Sequence, residues 1–260
     1  MTGPDQQQSL TERTPELSIV IPCYNEIVRL PRTMQEVEAW LKTCGIDVEI
    51  VIVDDGSKDA TAAWAQTYSE KNPHARLVTY GNNRGKGYAV KTGMLAARGS
   101  YRLFMDADGS TPVTHASQFL QMIKESGIDI VIGSRKEIGA QLQSTQSFPR
   151  RMASSLFGLL TRMFVVYGIK DTQCGFKMFT GEATEIIFTK STVTGAIFDI
   201  ELMLLAAKNK LVVREVPVTW THDNDSRLTY NLVKSAMIFV ELIKVKCRHR
   251  IVLPQKVKTA

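Results

Sequence analysis

Short apolar runs alternate with helix-length stretches through the first half of this chain, and the runs stop at polar clusters. Leu17-Ser18-Ile19-Val20-Ile21-Pro22, Val48 to Val53, Arg76 to Tyr80, Tyr101 to Met105 and Ile128 to Ile132 read as strands. Leu30 to Leu41, Ala60 to Ser69 and Tyr88 to Arg98 read as helices between them, the second capped by Ser57 or Asp59. Strands separated by helices of this length imply an α/β chain with a Rossmann-like, doubly wound and mostly parallel sheet. Such sheets bind ligands beyond the carboxyl ends of their strands. Four clusters fall there: Tyr24-Asn25-Glu26, Asp54-Asp55, Asp106-Ala107-Asp108 and Ser134-Arg135.

The third cluster carries the most chemistry. Residues i and i+2 point to one side of a strand, so Asp106 and Asp108 can reach a single cation at the strand's end. Mg²⁺ or Mn²⁺ held by one or two carboxylates keeps positions open for a substrate's phosphates. On its own, Asp-x-Asp is more often a loop of solvated acids; its neighbours change the odds. In Asn83-Arg84-Gly85-Lys86-Gly87 the glycines let the backbone approach phosphate, Lys86 supplies a positive charge, and the following helix offers its N-terminus. This is not a Walker loop, because the Gly-Lys-Ser/Thr ending is missing. Arg135 can pair with phosphate or with a structural carboxylate.

The remaining features narrow the setting. A chain of 260 residues with 44% apolar content can bury a substantial core, and a net charge of +6 favours anionic partners without selecting one. Nucleic acid is not expected among them. Cys23, Cys44, Cys174 and Cys247 are scattered, with neither zinc-ligand spacing nor a disulfide framework. Residues 1–16 read as a disordered polar tail without the apolar core of a signal peptide. No apolar stretch is long enough for a membrane span. The expectation is a cytoplasmic chain.

Two later segments are apolar on most faces. Arg151 to Tyr167 reads as a buried helix or a dimer contact, or as an interfacial helix with Arg150, Arg151 and Arg162 near lipid headgroups. Leu232 to Val245 is similar. Lys244, Lys246, Arg248, His249 and Arg250 accompany it, either as a solvated basic tail or as a contact with anionic lipid.

Taken in order, Ser18 to Glu26, Ile52-Val53-Asp54-Asp55-Gly56-Ser57, Asn83 to Gly87, Asp106-Ala107-Asp108 and Gly133-Ser134-Arg135 resemble the blocks of family 2 glycosyltransferases with the GT-A fold. Gln173-Cys174-Gly175-Phe176-Lys177 and Phe198-Asp199-Ile200-Glu201 resemble the dolichyl-phosphate β-glucosyltransferase branch of the polyprenyl-phosphate glycosyltransferases. The resemblance covers 17–228, leaving 229–260 as a C-terminal amphipathic helix and basic tail. It implies an inverting transferase that uses Mg²⁺ or Mn²⁺ at Asp106 and Asp108. The nucleotide sugar, UDP-glucose, would meet Pro22, Tyr24, Asn25, Glu26, Asp54, Asp55, Lys86, Asp106, Ala107 and Asp108. Tyr24 offers a wall for the base, and Asp55 or Asp54 an acceptor for the uracil imide N–H. Asp108, Asp171, Asp199 and Arg135 are the implied catalytic residues. Arg135, Lys177, Ser226 and Arg227 are implied at the phosphate of a lipid acceptor.

A sugar-hydroxyl acceptor would need a carboxylate base, for which Asp171 ranks before Asp199. A lipid monophosphate, with a second pKa near about 6, is already largely ionised and needs cations more than a base. Eukaryotic members of the branch carry an N-terminal membrane anchor, which this sequence does not show. It is therefore expected to work peripherally at the cytosolic membrane face through its amphipathic helices, to lean on a membrane partner, or to use a soluble acceptor. GDP-mannose is the alternative donor. A nucleotidyltransferase would show a glycine-rich loop directly after the first strand, where Pro22-Cys23-Tyr24-Asn25-Glu26 stands instead. A non-catalytic sugar-nucleotide module would have no need of both aspartates.

Overall fold

The protein was analysed as a computed structural model describing residues 14–125, 127–136, 141–142, 166–195, 197–221, 240–241, 243–250 and 255–259. The expected alternation is present as β1 (Leu17–Cys23), α1 (Leu30–Cys44), β2 (Val48–Asp54), α2 (Thr61–Lys71), β3 (Ala75–Thr79), α3 (Lys86–Ala96), β4 (Tyr101–Met105), α4 (His115–Ile123) and β5 (Ile130–Ser134). The second half adds β6 (Gln141–Leu142), β7 (Val166–Tyr167), β8 (Phe176–Thr180), α5 (Gly181–Phe188), α6 (Phe198–Lys208), β9 (Val212–Pro217), β10 (Thr219–Trp220), β11 (Gln255–Lys256) and β12 (Lys258–Thr259).

Eight strands form the main sheet in the order β12-β9-β5-β8-β4-β1-β2-β3. All its pairings are parallel except those of β8, which runs antiparallel to both β4 and β5. Strand alternation divides the core into two layers. Ile19, Ile21, Ile50, Ile52, Leu103 and Met105 pack with residues of α1 and α4 such as Met34 and Phe119. Val20, Val51, Val53 and Phe104 pack on the other face with Val90 and Met94 of α3 and with Leu202 and Leu205 of α6. Helices thus cover both faces, as a doubly wound sheet requires.

Three local differences from the sequence reading matter. Helix α3 begins two residues earlier than expected, which puts Lys86 in its first turn. Strand β5 continues through Gly133 and Ser134, so Arg135 leaves directly from its end. At α2 the N-cap residue is Ala60, and Asp59 rather than Ser57 accepts the Thr61 N–H (2.9 Å); the Ser57 hydroxyl instead accepts from Asn25 N–H (2.9 Å).

Because β1, β2, β4, β5 and β9 are mutually parallel, their carboxyl ends share one rim. Running the other way, β8 starts at that rim and delivers the residues before it, 171–175, to the same place. The apolar segment 151–165, most of 232–245, Arg150, Ser226 and Arg227 lie outside the described residues. His249, expected in a basic tail, is buried against Glu201 (Nε2 to Oε1, 2.7 Å), and Lys208 Nζ donates to its carbonyl (3.0 Å). Lys244, Arg248 and Arg250 are exposed around it.

Candidate active site

The loops after β1 and β2 brace each other. Asn25 takes a left-handed conformation (φ 55°), and its Oδ1 accepts from Lys58 N–H (2.7 Å). Glu26 N–H donates to Thr61 Oγ1 (2.8 Å), and the Glu26 carboxylate pairs with Arg29 (2.6 Å to Nε). Pro22 is buried within β1, and Tyr24 is half-buried just beyond its end. Asp54 and Asp55 are both buried. Asp54 Oδ2 accepts from Ser57 N–H (3.2 Å) and the Thr79 hydroxyl (3.3 Å), whereas its Oδ1 has no hydrogen-bond partner among the described residues.

Asp55 holds the loop that leads into α3. It accepts from Asn83 Nδ2 (2.9 Å), Arg84 N–H (2.7 Å) and Gly85 N–H (2.9 Å), three of the roughly four acceptor positions a carboxylate has. Gly85 has φ 94°, and a Cβ there would lie 2.5 Å from Thr194 O. Thr194 O also accepts from Gly87 N–H (2.9 Å). The 192–194 segment is itself fixed by Glu201, which accepts from Thr192 N–H (2.8 Å), the Thr192 hydroxyl (2.7 Å) and Val193 N–H (2.7 Å). Glu201, quoted above only as part of a block, is therefore a brace beneath the Lys86 turn.

Lys86 reaches the end of β4, where its Nζ lies 2.6 Å from Asp106 Oδ1. This is a close ion pair, and Asp106 Oδ1 is buried with no other partner among the described residues. Burial opposes the Lys86 charge, but Asp106 and then Asp199 outweigh it and raise its proton affinity. Asp108 Oδ1 accepts from Ser110 N–H (2.9 Å), and the Thr33 hydroxyl donates to Ala107 O (2.8 Å), which fixes the turn. Burial and then the neighbouring Asp106 charge push the Asp108 carboxyl above its ordinary range. Two mutually repelling carboxylates with an oxygen-only donor set fit a hard divalent cation, for which Asp106 and Asp108 are the residues on hand.

Gly175 makes this arrangement possible. Its carbonyl accepts from Asp106 N–H (3.1 Å), and a Cβ at this position would overlap the Asp106 carboxylate. Gly175→Ala is expected to cost about 1–3 kcal/mol by overpacking, read from urea unfolding midpoints. An unchanged midpoint would mean that Asp106 moves aside freely.

Across the rim Arg135 and Asp171 form a closed pair. Asp171 Oδ2 accepts from Arg135 N–H (3.0 Å) and Nε (2.8 Å), and Oδ1 accepts from Arg135 Nη2 (2.9 Å) and Gln173 N–H (3.3 Å). Burial alone would raise the Asp171 carboxyl, but Arg135 overrides it and holds it down at about 2. With four donors on its two oxygens, Asp171 is poorly suited to take a proton, which corrects its ranking as the first base candidate.

Lys177 also departs from its expected place. It is fully buried, so it does not reach an acceptor phosphate. Its ammonium pairs with Asp199, donates to Cys174 O (2.5 Å) and lies 5.1 Å from the centre of the Phe104 ring. Burial raises the Asp199 carboxyl, while Lys177 and Lys86 oppose that shift. Charges therefore alternate from Lys177 to Asp199 to Lys86 to Asp106, running from the core out to the rim. Sequence reasoning passed over the 218–221 segment as a structural element. Trp220 places its ring 5.5 Å from the Arg135 guanidinium carbon, and Thr221 N–H donates to Ser110 O (2.9 Å).

Residues 18–188 match the profile of Glycosyl transferase family 2. The chain belongs to that family. It is 36% identical to a dolichyl-phosphate beta-glucosyltransferase of Dictyostelium discoideum over 90% of this chain and 74% of that protein. It is 40% identical to the Drosophila melanogaster protein of the same description, over 82% and 69% of the two chains. Among solved structures, glucosyl-3-phosphoglycerate synthase from Mycobacterium tuberculosis, in complex with Mn²⁺, UDP and phosphoglyceric acid, shares the fold. It superposes with a TM-score of 0.62 at 16% identity, covering 92% of this chain and 80% of that one. This family 2 member is a glycosyltransferase with the GT-A architecture. None of its helices, among the described residues, is long and apolar enough to cross a membrane.

Proposed function

We propose that this glycosyltransferase moves glucose from UDP-glucose to a dolichyl-type polyprenyl phosphate, with inversion, using Mg²⁺ or Mn²⁺ at Asp106 and Asp108. The similarity to dolichyl-phosphate beta-glucosyltransferases supports the sugar and the acceptor class. The observation that carries the reading is the state of the two carboxylates nearest to a base role. Asp171 is saturated by Arg135, and Asp199 is tied to Lys177. A site whose carboxylates are committed to cations suits a nucleophile that arrives ionised, as a monoester phosphate does.

Within this reading the chain's own residues have separate tasks. Asp55, or Asp54, takes the uracil imide N–H, and Tyr24 walls the base. Lys86, in the first turn of α3, faces the donor's diphosphate, where a helix N-terminus favours anions. The bound cation would neutralise charge on the departing nucleoside diphosphate. Arg135 spends Nε and Nη2 on Asp171, and its other N–H groups are offered to the acceptor phosphate, with Ser226 and Arg227 expected alongside. Exposed Val240 and Ile243, with Lys244 and Arg248, suit contact with an anionic bilayer. The proposed location is peripheral, at the cytosolic face of a membrane.

The test is nucleoside diphosphate release from UDP-glucose and GDP-mannose, each with and without a short polyprenyl phosphate, in Mn²⁺ or Mg²⁺. UDP appearing only with lipid and metal is the expected result. GDP release would move the protein to mannose transfer, and no lipid-dependent release from either donor would sink the acceptor assignment.

A further inference from the structure

A short strap crosses the site beyond β9. Val218 N–H donates to Ser134 O (3.3 Å), Thr219 N–H to His115 Nε2 (3.1 Å) and Thr221 N–H to Ser110 O (2.9 Å). Between the last two, Trp220 turns its ring toward Arg135. Ser110 N–H in turn holds Asp108 Oδ1. Four residues thereby join the Asp106–Asp108 turn, α4 and the Arg135–Asp171 pair.

Of these three anchors, two are backbone carbonyls that any residue supplies. The third is a side chain. A backbone N–H only donates, so His115 Nε2 must carry its lone pair, and in the neutral ring the proton sits on Nδ1. Gln118, one turn along α4, acts on the same imidazole by favouring its protonated form. Phe176 of β8 packs edge-on against it, with centroids 6.4 Å apart at 75°. The groups facing the ring from α4, β8 and β10 are thus Gln118, Phe176 and the Thr219 amide, and none of them is charged.

We propose that His115 is a positioning residue for transfer: as a neutral imidazole it clamps the strap across the donor turn and Arg135, and so sets where the acceptor phosphate meets the sugar. The inference rests on the transfer reading above. Burial, opposed by Gln118, holds His115 below its ordinary 6.5. The clamp is therefore intact above 6.5 and is lost as the pH falls from there through the lowered value. A protonated Nε2 would set N–H against N–H.

Two variants of the full chain separate this from a packing role. His115→Gln can keep an acceptor near Nε2 but does not titrate. His115→Phe keeps a ring against Phe176 and offers no acceptor. Hydrogen exchange of segment 216–221, measured without substrates at one neutral pH, is expected to quicken about tenfold in the Phe variant. The Gln variant should stay near the parent, and unchanged protection of β1 and β2 shows that the variants fold. Acceptor-dependent transfer by the parent should fall on the acid side of 6.5, and the Gln variant should fall less steeply there, keeping only the limb that comes from the acceptor phosphate's own second pKa near about 6. The Phe variant should show a raised KM for polyprenyl phosphate and an unchanged KM for the donor. Parent-like exchange in the Phe variant, or an acid limb in the Gln variant as steep as the parent's, would overturn the clamp. If exchange responds as expected while the parent transfers no glucose, the clamp stands and the transfer reading falls.

Discussion

Asp108→Asn is expected to lose transfer by about a thousandfold or more while folding at least as well as the parent. The two effects have opposite signs for one physical reason. Asp108 is pushed toward its protonated form by burial and by the Asp106 charge beside it. An amide in its place removes that repulsion and can still accept from Ser110 N–H, which now holds Oδ1 at 2.9 Å. What it removes is half of the anionic pair that would hold the cation. The parent's melting temperature should rise when Mn²⁺ and UDP are added together, because ligands that bind only the folded state stabilise it. The variant should lose most of that rise and keep its ligand-free melting temperature, or gain slightly. Retained turnover would sink the metal assignment. A fall in ligand-free stability large enough to explain the lost activity would make Asp108 a structural residue.

The same turn shows why parts of the site were legible in the sequence. Apolar strands covered on both faces leave continuous runs such as Ile50 to Val53, and the polar residues that follow them must sit at the carboxyl rim. The rim clusters after β1, β2, β4 and β5 could be placed in this way before any coordinates. Partners across the rim could not. Asp171 meets Arg135 from 36 positions away because β8 runs against its neighbours, and nothing in the residues 176–180 announces that direction. The resemblance implies Lys177 at an acceptor phosphate. The strand's alternation instead turns it away from Phe176 and Met178 into the layer under α6, where Asp199 receives it. Helix α6 is buried on nearly every face, so it shows no amphipathic period by which to place Asp199 or Glu201. His115 was invisible for a simpler reason: a lone histidine at a helix start carries no pattern, and its partner is a backbone amide 104 positions later.

Asp171→Asn should destabilise the fold by about 2–4 kcal/mol, because removing one member of a buried ion pair leaves the other uncompensated. Asp171 is 2% exposed and Arg135 is 25% exposed, so the guanidinium would recover only part of its hydration. The pH dependence provides a second sign. The Asp171 carboxyl falls from 3.8 to about 2 on folding, so its contribution is present above 3.8 and is lost as pH falls toward 2. Urea unfolding midpoints followed across that interval should decline in the parent, and the decline should be shallower in the variant. Transfer will fall too, since Arg135 and the Trp220 strap lose their anchor, but a general base and a structural counterion predict different companions for that loss. A base would be missed only by the chemistry, with the unfolding midpoint unchanged and the pH–rate profile losing a limb. A counterion takes the midpoint with it, and Asp171→Glu, which keeps the charge but lengthens the arm, should recover part of the stability. If Asp171→Asn is inactive yet as stable as the parent, the closed pair is not what sets this carboxylate's role, and the argument for an acceptor that arrives already ionised loses its main support.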